Sequence, residues 1–224
     1  MLPRLLDLEL SDSLSHAVES NNLDRAAEIE AFVDDLMAAG EFRAQILDLG
    51  TGTAQIPIEL VRRHLDCYVM AVDRSTSMLD IGRYNIEMAM VTDRVQLDHA
   101  DAVRLPYEDH RFSATISNAM VHSLPEPLVA LEEALRVTAP GGLIFFRDFC
   151  RPEDTAALQH LVETRAAHFS PTQRQRFTEC LCAALTIDEM RHLVEQLGFP
   201  TESVSATGDL FWTWTARKDR SDAS

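Results

Sequence analysis

The chain has 224 residues, and its 36 acidic and 20 basic side chains give a formal net charge of −16 at pH 7. This balance argues against a surface that neutralises the phosphates of a long nucleic acid. The length and the 46% hydrophobic content predict one substantial core rather than two. We therefore expect a single domain over residues 1–224 with an appendage.

The N-terminus and the cysteines suggest where the protein works. The N-terminus is acidic and polar where a secretory leader would be cationic and apolar, and no apolar run is long enough to span a bilayer. The four cysteines have neither the spacing of a zinc site nor the density of a disulfide scaffold, which predicts reduced thiols. We expect a soluble, cytoplasmic protein with no membrane partner.

Strand and helix patterns alternate along the first two thirds of the chain. Residues 21–40 have helical apolar spacing and end in Gly40, so residues 1–40 are expected to form an N-terminal helical segment. Predicted strands follow at QILDLG, CYVMAVD, RVQLDHAD, FSATISNAMV and GGLIFFRDF. Predicted helices separate several of them, at IPIELVRRHL, STSMLDIGRYNIEMAM and EPLVALEEALRVT. Such alternation requires parallel strand pairing with right-handed crossovers.

The last third of the chain departs from this alternation. Residues 153–184 contain two successive helical patterns with no strand between them, and a further helix opens with Thr186 and Glu189 at capping-box spacing. ESVSAT and LFWTWTA flank a Gly-Asp turn and predict an antiparallel hairpin, followed by a frayed tail over 217–224. The predicted fold is α/β, a Rossmann-like, doubly wound, mostly parallel sheet. It has seven strands, the last antiparallel, and a helical insertion before the last helix.

Two glycines after the first predicted strand point to a ligand. At Gly50 and Gly52 the backbone can approach a ligand without a Cβ atom in the way, and the next helix offers free N–H groups. Asp73 ends the second strand about 20 residues later, where a carboxylate can accept hydrogen bonds from both ribose hydroxyls. The alternative is that Asp73 caps a helix. Gln55 stands where the nicotinamide fingerprint has its third glycine, which disfavours a dinucleotide.

Four segments together resemble the class I S-adenosylmethionine-dependent methyltransferases of the small-molecule branch: LDLGTGTA, AVDRSTSML, DHADAVRLPYED and RVTAPGGLIFF. The resemblance covers roughly residues 20–150 and the terminal hairpin. It implies an enzyme that takes S-adenosyl-L-methionine as cofactor, releases S-adenosyl-L-homocysteine and methylates an unidentified small molecule. Ala54 stands where many members have a third glycine, a change that costs little if this residue has a negative φ.

The resemblance also implies a set of cofactor-binding residues. Asp73 would hold the ribose, and Asp101 would accept a hydrogen bond from the adenine amine. The alternative for Asp101 is an acid of a surface loop. The full set is Asp48, Gly50, Thr51, Gly52, Asp73, Arg74, Met78, Asp101, Ala102, Asn118 and Ala119.

Candidate catalytic residues follow the fourth strand and end the fifth. His122 has the intrinsic pKa of a general base, although a single histidine there is more often a packing residue. Arg147 and Asp148 leave the fifth strand together and either bind the substrate or pair with each other. Because methyl transfer depends largely on alignment of the two reactants, these residues are hard to identify from sequence.

The class of acceptor is narrowed by what the sequence lacks. SNAM stands where amino-methylating DNA enzymes have an NPPY-like segment, no Pro-Cys pair supplies the nucleophile of cytosine C5 enzymes, and no acids converge to bind a metal. A small-molecule acceptor is therefore favoured over nucleic acid. The 153–184 insertion is expected to be a cap over the substrate, or else an ordinary decoration or a homodimer contact.

Two rival functions stay open at this point. A non-catalytic, regulatory protein could bind S-adenosylmethionine or S-adenosylhomocysteine through the same glycines. A nicotinamide-dependent reductase is the less favoured rival, because of Gln55.

Overall fold

The computed structural model describes residues 2–6, 12–23, 25–42, 44–64 and 66–219. The helices are α1 Leu14–Asn21, α2 Ala26–Ala38, α3 Gln55–Arg63, α4 Thr76–Met88, α5 Pro127–Val137, α6 Thr155–Arg165, α7 Pro171–Ala183 and α8 Ile187–Gln196. The strands are β1 Ala44–Leu49, β2 Cys67–Asp73, β3 Val95–His99, β4 Phe112–Asn118, β5 Thr138–Phe149, β6 Val204–Thr207 and β7 Phe211–Arg217. A 3-10 turn, Val121–Ser123, follows β4.

The strands form one seven-stranded sheet in the order β3-β2-β1-β4-β5-β7-β6. β1 lies between β2 and β4 and pairs in parallel with both, and β2 pairs in parallel with β3. β6 and β7 form the antiparallel hairpin that the Gly-Asp turn predicts. This topology confirms the predicted Rossmann-like, doubly wound fold, and it brings the carboxyl ends of the parallel strands to one edge.

The chain divides into two compact units. The sheet unit comprises Ser11–Asn118, Leu128–Phe146 and Thr215–Ser224, as far as these ranges are described. Its core packs helices α2 and α3 against strands β1, β2 and β4. Phe32 of α2 meets Phe145 of β5 edge to face, with ring centroids 5.2 Å apart. The continuous burial of β1 and β2 explains why their sequences lack polar alternation.

The helical unit comprises Met1–Leu10, Ala119–Pro127 and Arg147–Trp214, again as far as these ranges are described. Its apolar cluster lies around Phe149, whose ring packs on Phe177 of α7 and Phe211 of β7. Trp212 and Trp214 are fully buried, as their shared strand face predicts. Within the described parts of the chain, no helix is both long and apolar enough to cross a membrane.

Helix boundaries follow the predicted capping residues in most places. Ser75 caps α4, Ser170 and Pro171 start α7, and Thr186 with Glu189 forms the capping box of α8. The predicted helix at 21–40 begins only at Ala26, because α1 is a separate helix with Ser13 as its cap.

Both termini differ from the predicted arrangement. Residues 2–6 are not helical, and the N–H groups of Leu2 and Leu5 donate to the carbonyls of Glu153 and Cys182. The predicted tail begins inside β7, and Lys218 is buried at the end of that strand. Residues 220–224 of the predicted tail lie outside the described residues. The single-domain organisation stays a prediction.

Lys218, the only lysine of the chain, is expected to stabilise the sheet unit. Its Nζ donates to the carbonyls of Leu135 and Thr138 at 2.8 and 3.1 Å and lies 3.0 Å from His110 Nδ1. Lys218→Ala should lower the free energy of unfolding by about 1–3 kcal/mol, because it leaves buried carbonyls without a donor. Urea titration followed by circular dichroism measures this. Arg62→Ala, at an exposed cation of α3, is the control and should change stability by less than about 0.5 kcal/mol.

Candidate active site

A glycine loop follows β1 at the carboxyl edge of the sheet. Gly50 and Gly52 have φ values of +70° and +55°, the left-handed region that glycine enters without a steric penalty. The N–H groups of Gly50 and Thr51 both donate to the carbonyl of Val72 at 2.9 Å. The loop is therefore held against the end of β2, and its two glycines are required by the backbone conformation.

Asp73 fastens this loop from the end of β2. Its Oδ2 accepts a hydrogen bond from the N–H of Gly52, and its Oδ1 accepts one from the N–H of Ser75, both at 2.8 Å. Burial raises the pKa of Asp73, and these two backbone donors partly offset the rise. The cap of α4 is the Ser75 hydroxyl, so the helix-cap alternative for Asp73 is not what the structure shows. A carboxylate has about four acceptor positions, which leaves two for a ligand.

Asp48 and Thr51 are buried polar residues at the base of the loop. Asp48 is 2% exposed, and within the described chain its Oδ2 and the Oγ1 of Thr51 have no hydrogen-bond partner. Burial raises the pKa of Asp48 to about 7, the Thr51 hydroxyl lowers it, and the nearby Asp73 carboxylate raises it further. Buried polar atoms normally have partners, so these two atoms mark a place for a ligand.

Ala54 ends the loop in a strained conformation. Its φ is +61°, so the expectation that alanine costs little here is wrong. Ala54 is fully buried, and a Cβ placed on Gly82 of α4 would lie 3.4 Å from the Ala54 Cβ. Gly82 therefore lets α4 pack closely on the loop. Sequence reasoning missed this role, although a glycine inside a helical pattern often signals close packing.

The remaining predicted cofactor residues of the sheet unit lie at or beyond the carboxyl ends of its strands. Arg74 is exposed, and its carbonyl lies 2.9 Å from His99 Nε2, while Met78 lies in the first turn of α4. Asp101 is exposed, and its Oδ1 accepts the N–H of Val103 at 3.1 Å. Ala102 is half-buried in the same turn, and half-buried Asn118 ends β4.

The first helix is tied to this loop by side-chain amides. Asn21 Oδ1, in the last turn of α1, accepts hydrogen bonds from Gln55 at 3.0 Å and from Asn85 at 2.7 Å. Asn85 also donates to the carbonyl of Thr53 at 2.9 Å. No sequence pattern indicates these contacts, because their partners are distant along the chain.

Asp12 is a second connection that the sequence does not reveal. Its carboxylate accepts hydrogen bonds from the hydroxyls of Ser75 and Thr76 at 2.6 and 2.9 Å and from the N–H of Ser77 at 3.1 Å. These donors hold the pKa of Asp12 well below its usual value. An acid at the N-terminus of α4 also complements the helix dipole.

The predicted catalytic pair His122 and Asp148 lies in the helical unit. His122 Nδ1 is 2.8 Å from Asp148 Oδ1, and the His122 N–H donates to Asp148 Oδ2 at 2.9 Å. Burial alone would lower the pKa of His122, but the Asp148 carboxylate and the Cys180 sulfur raise it well above its usual value. The structure thus brings His122 and Asp148 together.

Arg147 and Ala119 meet in the same unit. The N–H of Ala119 donates to the carbonyl of Arg147 at 2.9 Å, and Ala119 has a left-handed φ of +57°. Arg147 Nε donates to Thr213 Oγ1 at 3.0 Å, and the side chain is 6% exposed. Successive strand residues face opposite sides, so Arg147 and Asp148 point away from each other.

Comparisons with known proteins agree with this geometry. A family model described as a methyltransferase domain matches residues 47–146. A demethylmenaquinone methyltransferase of Clavibacter sepedonicus is 39% identical over 116 residues, which cover 51% of this chain and 43% of that protein. A 27-O-demethylrifamycin SV methyltransferase of Amycolatopsis mediterranei is 25% identical over 222 residues, which cover 96% of this chain and 77% of that protein.

A solved structure extends the comparison to the fold. A SAM dependent methyltransferase from Aquifex aeolicus gives a TM-score of 0.69 at 18% identity and covers 92% of this chain and 98% of that one. The chain belongs to the class I S-adenosylmethionine-dependent methyltransferase family. The match to the Clavibacter relative spans less than half of that relative's length.

The residues of the sheet unit fit the cofactor of this methyltransferase family. A Cβ placed on Gly52 would meet no atom within 4 Å, so the glycine faces open space that a ligand can occupy. Asp48 Oδ2 and Thr51 Oγ1 are the buried polar atoms that lack partners. An ammonium group is a suitable partner for them, because it is a charged donor with three hydrogens.

Ala54→Gly should make the methyltransferase more stable, which is unusual for a glycine substitution. The left-handed backbone costs an alanine about 1–2 kcal/mol, and glycine avoids that cost at an entropic penalty of about 0.5–1 kcal/mol. We expect a gain of up to about 1 kcal/mol in urea unfolding.

The control for this substitution is Ala130→Gly, a fully buried alanine in the middle of α5. This variant should lose about 1 kcal/mol or more, since glycine is unfavourable inside a helix. Equal losses in both variants would contradict the strain at Ala54.

Asp48→Asn should change how the stability of the methyltransferase depends on pH. The carboxyl of Asp48 has a pKa of about 7 in the fold. An unfolded aspartate titrates near about 3.9, so from about pH 4 to pH 7 the folded chain holds a proton that the unfolded chain has lost. This group therefore makes the fold less stable as the pH rises, and asparagine removes the effect.

Urea unfolding at about pH 4 and pH 8 measures this difference. The variant should gain on the order of 1–4 kcal/mol relative to the wild type between these pH values. Asp93→Asn, at an exposed turn, is the control and should show no such gain. A constant difference between Asp48→Asn and the wild type would show that Asp48 titrates normally.

Proposed function

We propose that this chain transfers the methyl group of S-adenosylmethionine to a small-molecule acceptor. The observation that supports this most strongly is the glycine loop, where Asp48 Oδ2 and Thr51 Oγ1 are buried without partners beside the open space at Gly52. Membership of the methyltransferase family supports the identity of the ligand.

The cofactor would be held by groups that the fold has already positioned. Asp48 and Thr51 would accept from and donate to the methionine end, and Asp73 would accept hydrogen bonds from the ribose hydroxyls. Asp101 has one carboxylate oxygen beyond its bond to Val103, which would accept from the adenine amine. Arg74 and Met78 would flank the adenine ring. These assignments are proposals that follow from the positions of the residues.

The bound cofactor supplies an electrophilic methyl carbon on a sulfonium, and the chain must align an acceptor with it. Alignment of this kind supplies on the order of 7–11 kcal/mol of the barrier reduction, so the protein need not provide a strong base. The two relatives are named for demethylmenaquinone and for 27-O-demethylrifamycin SV, which are small molecules. A small-molecule acceptor is proposed here on that basis.

The catalytic roles of His122, Arg147 and Asp148 stay proposals of lower weight. A general base must be able to accept a proton, and the raised pKa of His122 keeps its ring protonated near neutral pH. The structure therefore favours a role in which His122 and Asp148 hold the turn after β4 in place. Cytoplasmic localisation, homodimer formation and a cap function for residues 153–184 also stay proposals.

Calorimetric titration with S-adenosylhomocysteine and with NADH tests the cofactor. We expect micromolar binding of S-adenosylhomocysteine and none of NADH. Asp73→Ala should weaken the first by at least about 100-fold, because it removes two hydrogen bonds of about 1.5–3 kcal/mol each to a charged acceptor. His122→Ala should bind S-adenosylhomocysteine like the wild type.

Ser75→Ala is the matched control for Asp73→Ala. It removes the cap of α4 but keeps the carboxylate and the Ser75 N–H, so binding should change by less than about threefold. Circular dichroism shows whether each variant is folded. Wild-type affinity in a folded Asp73→Ala variant would overturn the ribose site, and preference for NADH would support the reductase. Binding without methyl transfer to any acceptor in a broad screen would support the regulatory alternative.

A further inference from the structure

Cys180 of α7 lies against the buried His122 and Asp148 pair. Helix α7 packs on the 3-10 turn Val121–Ser123, which carries His122. Phe177, one helical turn before Cys180, contacts Phe149, and the Phe149 ring lies 5.5 Å from the His122 ring. The helix face that carries Phe177 and Cys180 is therefore turned toward His122.

The His122 ring is held in a defined orientation. Asp148 Oδ1 lies 2.8 Å from Nδ1, and Asp148 is itself fixed by the N–H groups of His122 and Phe149 at 2.9 and 2.7 Å. Nε2 is the ring nitrogen that remains for another partner. The Cys180 sulfur lies within hydrogen-bonding reach of the ring and interacts with it electrostatically. The order of groups is thiol, imidazole and carboxylate.

Further charged groups lie around this cluster. The Arg4 guanidinium donates to the carbonyls of His122 and Leu124 at 3.3 and 2.9 Å. Arg4 also interacts electrostatically with Arg151 and Glu189, which form an ion pair with each other. Two guanidinium groups and one carboxylate thus lie near the pair, which favours an anion at the Cys180 sulfur.

The other three cysteines have surroundings that keep the thiol protonated. Burial raises the pKa of Cys67 to about 11, and it also raises the pKa of Cys150 and Cys182. None of these three has a histidine among the groups that shift its pKa. Cys180 is partly exposed, so a small reagent can reach it.

We propose that Cys180, with His122 and Asp148, is a nucleophilic site that takes electron-poor alkenes by conjugate addition. The Cys180 sulfur donates its proton to His122 Nε2 and forms an S–C bond to the alkene. The π electrons of the alkene move to the neighbouring carbon, which takes the proton back from His122. The sum of these steps is the addition of S–H across the double bond, with no other reactant. This site is independent of the proposed methyl transfer.

Acrylamide is the probe, because it is a small electron-poor alkene that reacts slowly enough to time. The full-length protein is treated at pH 6.5, quenched at intervals and digested with trypsin. Cys180 and Cys182 fall in one tryptic peptide, 177–191, and its fragment ions distinguish them. Cys180 should react at least about tenfold faster than Cys182, because an ordinary thiol is only about 1% ionised at this pH.

Two variants and a control test the mechanism. His122→Gln and Asp148→Asn should each bring the Cys180 rate to within about threefold of the Cys182 rate. His160→Gln, at an exposed histidine of α6, should leave the ratio unchanged. Equal rates for the two cysteines in the wild type would overturn the proposal without any variant. An unchanged ratio in a folded His122→Gln variant would overturn it as well.

Discussion

The carboxylate of Asp73 connects the two loops on which the rest of the candidate site depends. One oxygen accepts from the Gly52 N–H and the other from the Ser75 N–H, so the loops after β1 and β2 are fixed to each other. With these loops fixed, the glycine backbone keeps its left-handed turns, and α4 starts where Ser75 can cap it. The position of one side chain therefore sets both the shape of the loop and the start of the helix.

The fold accepts local costs around this connection. Ala54 holds a left-handed backbone, and Asp48 is a carboxyl buried with one oxygen unpaired. Costs of this kind cluster at functional sites, where the surrounding structure imposes them. Here Asn21 and Gly82 contribute, the first by hydrogen bonds to residues beside the loop and the second by letting α4 lie close to it. A bound cofactor with a cationic end would offset the cost at Asp48.

The helical unit uses charge differently. His122 and Asp148 form a buried pair whose hydrogen bonds are satisfied on the carboxylate side, and Arg4 from the N-terminal residues donates to the turn that carries His122. Removing one partner of such a pair leaves an uncompensated charge, so this arrangement resists change. The imidazole faces Cys180 on its other side, which gives the pair a chemical use that does not require an acceptor molecule.

The sequence by itself determined what depends on neighbouring residues. The bounds of β2, the Ser75 cap and the position of Asp73 after the glycines follow from burial periodicity, local capping and the spacing of one strand-helix-strand unit. Only the tertiary structure decided that Ala54 is left-handed, and that Asp12 lies at α4 and Cys180 at His122. Such contacts join residues far apart in the chain, and no local pattern specifies them because they arise from how whole elements pack.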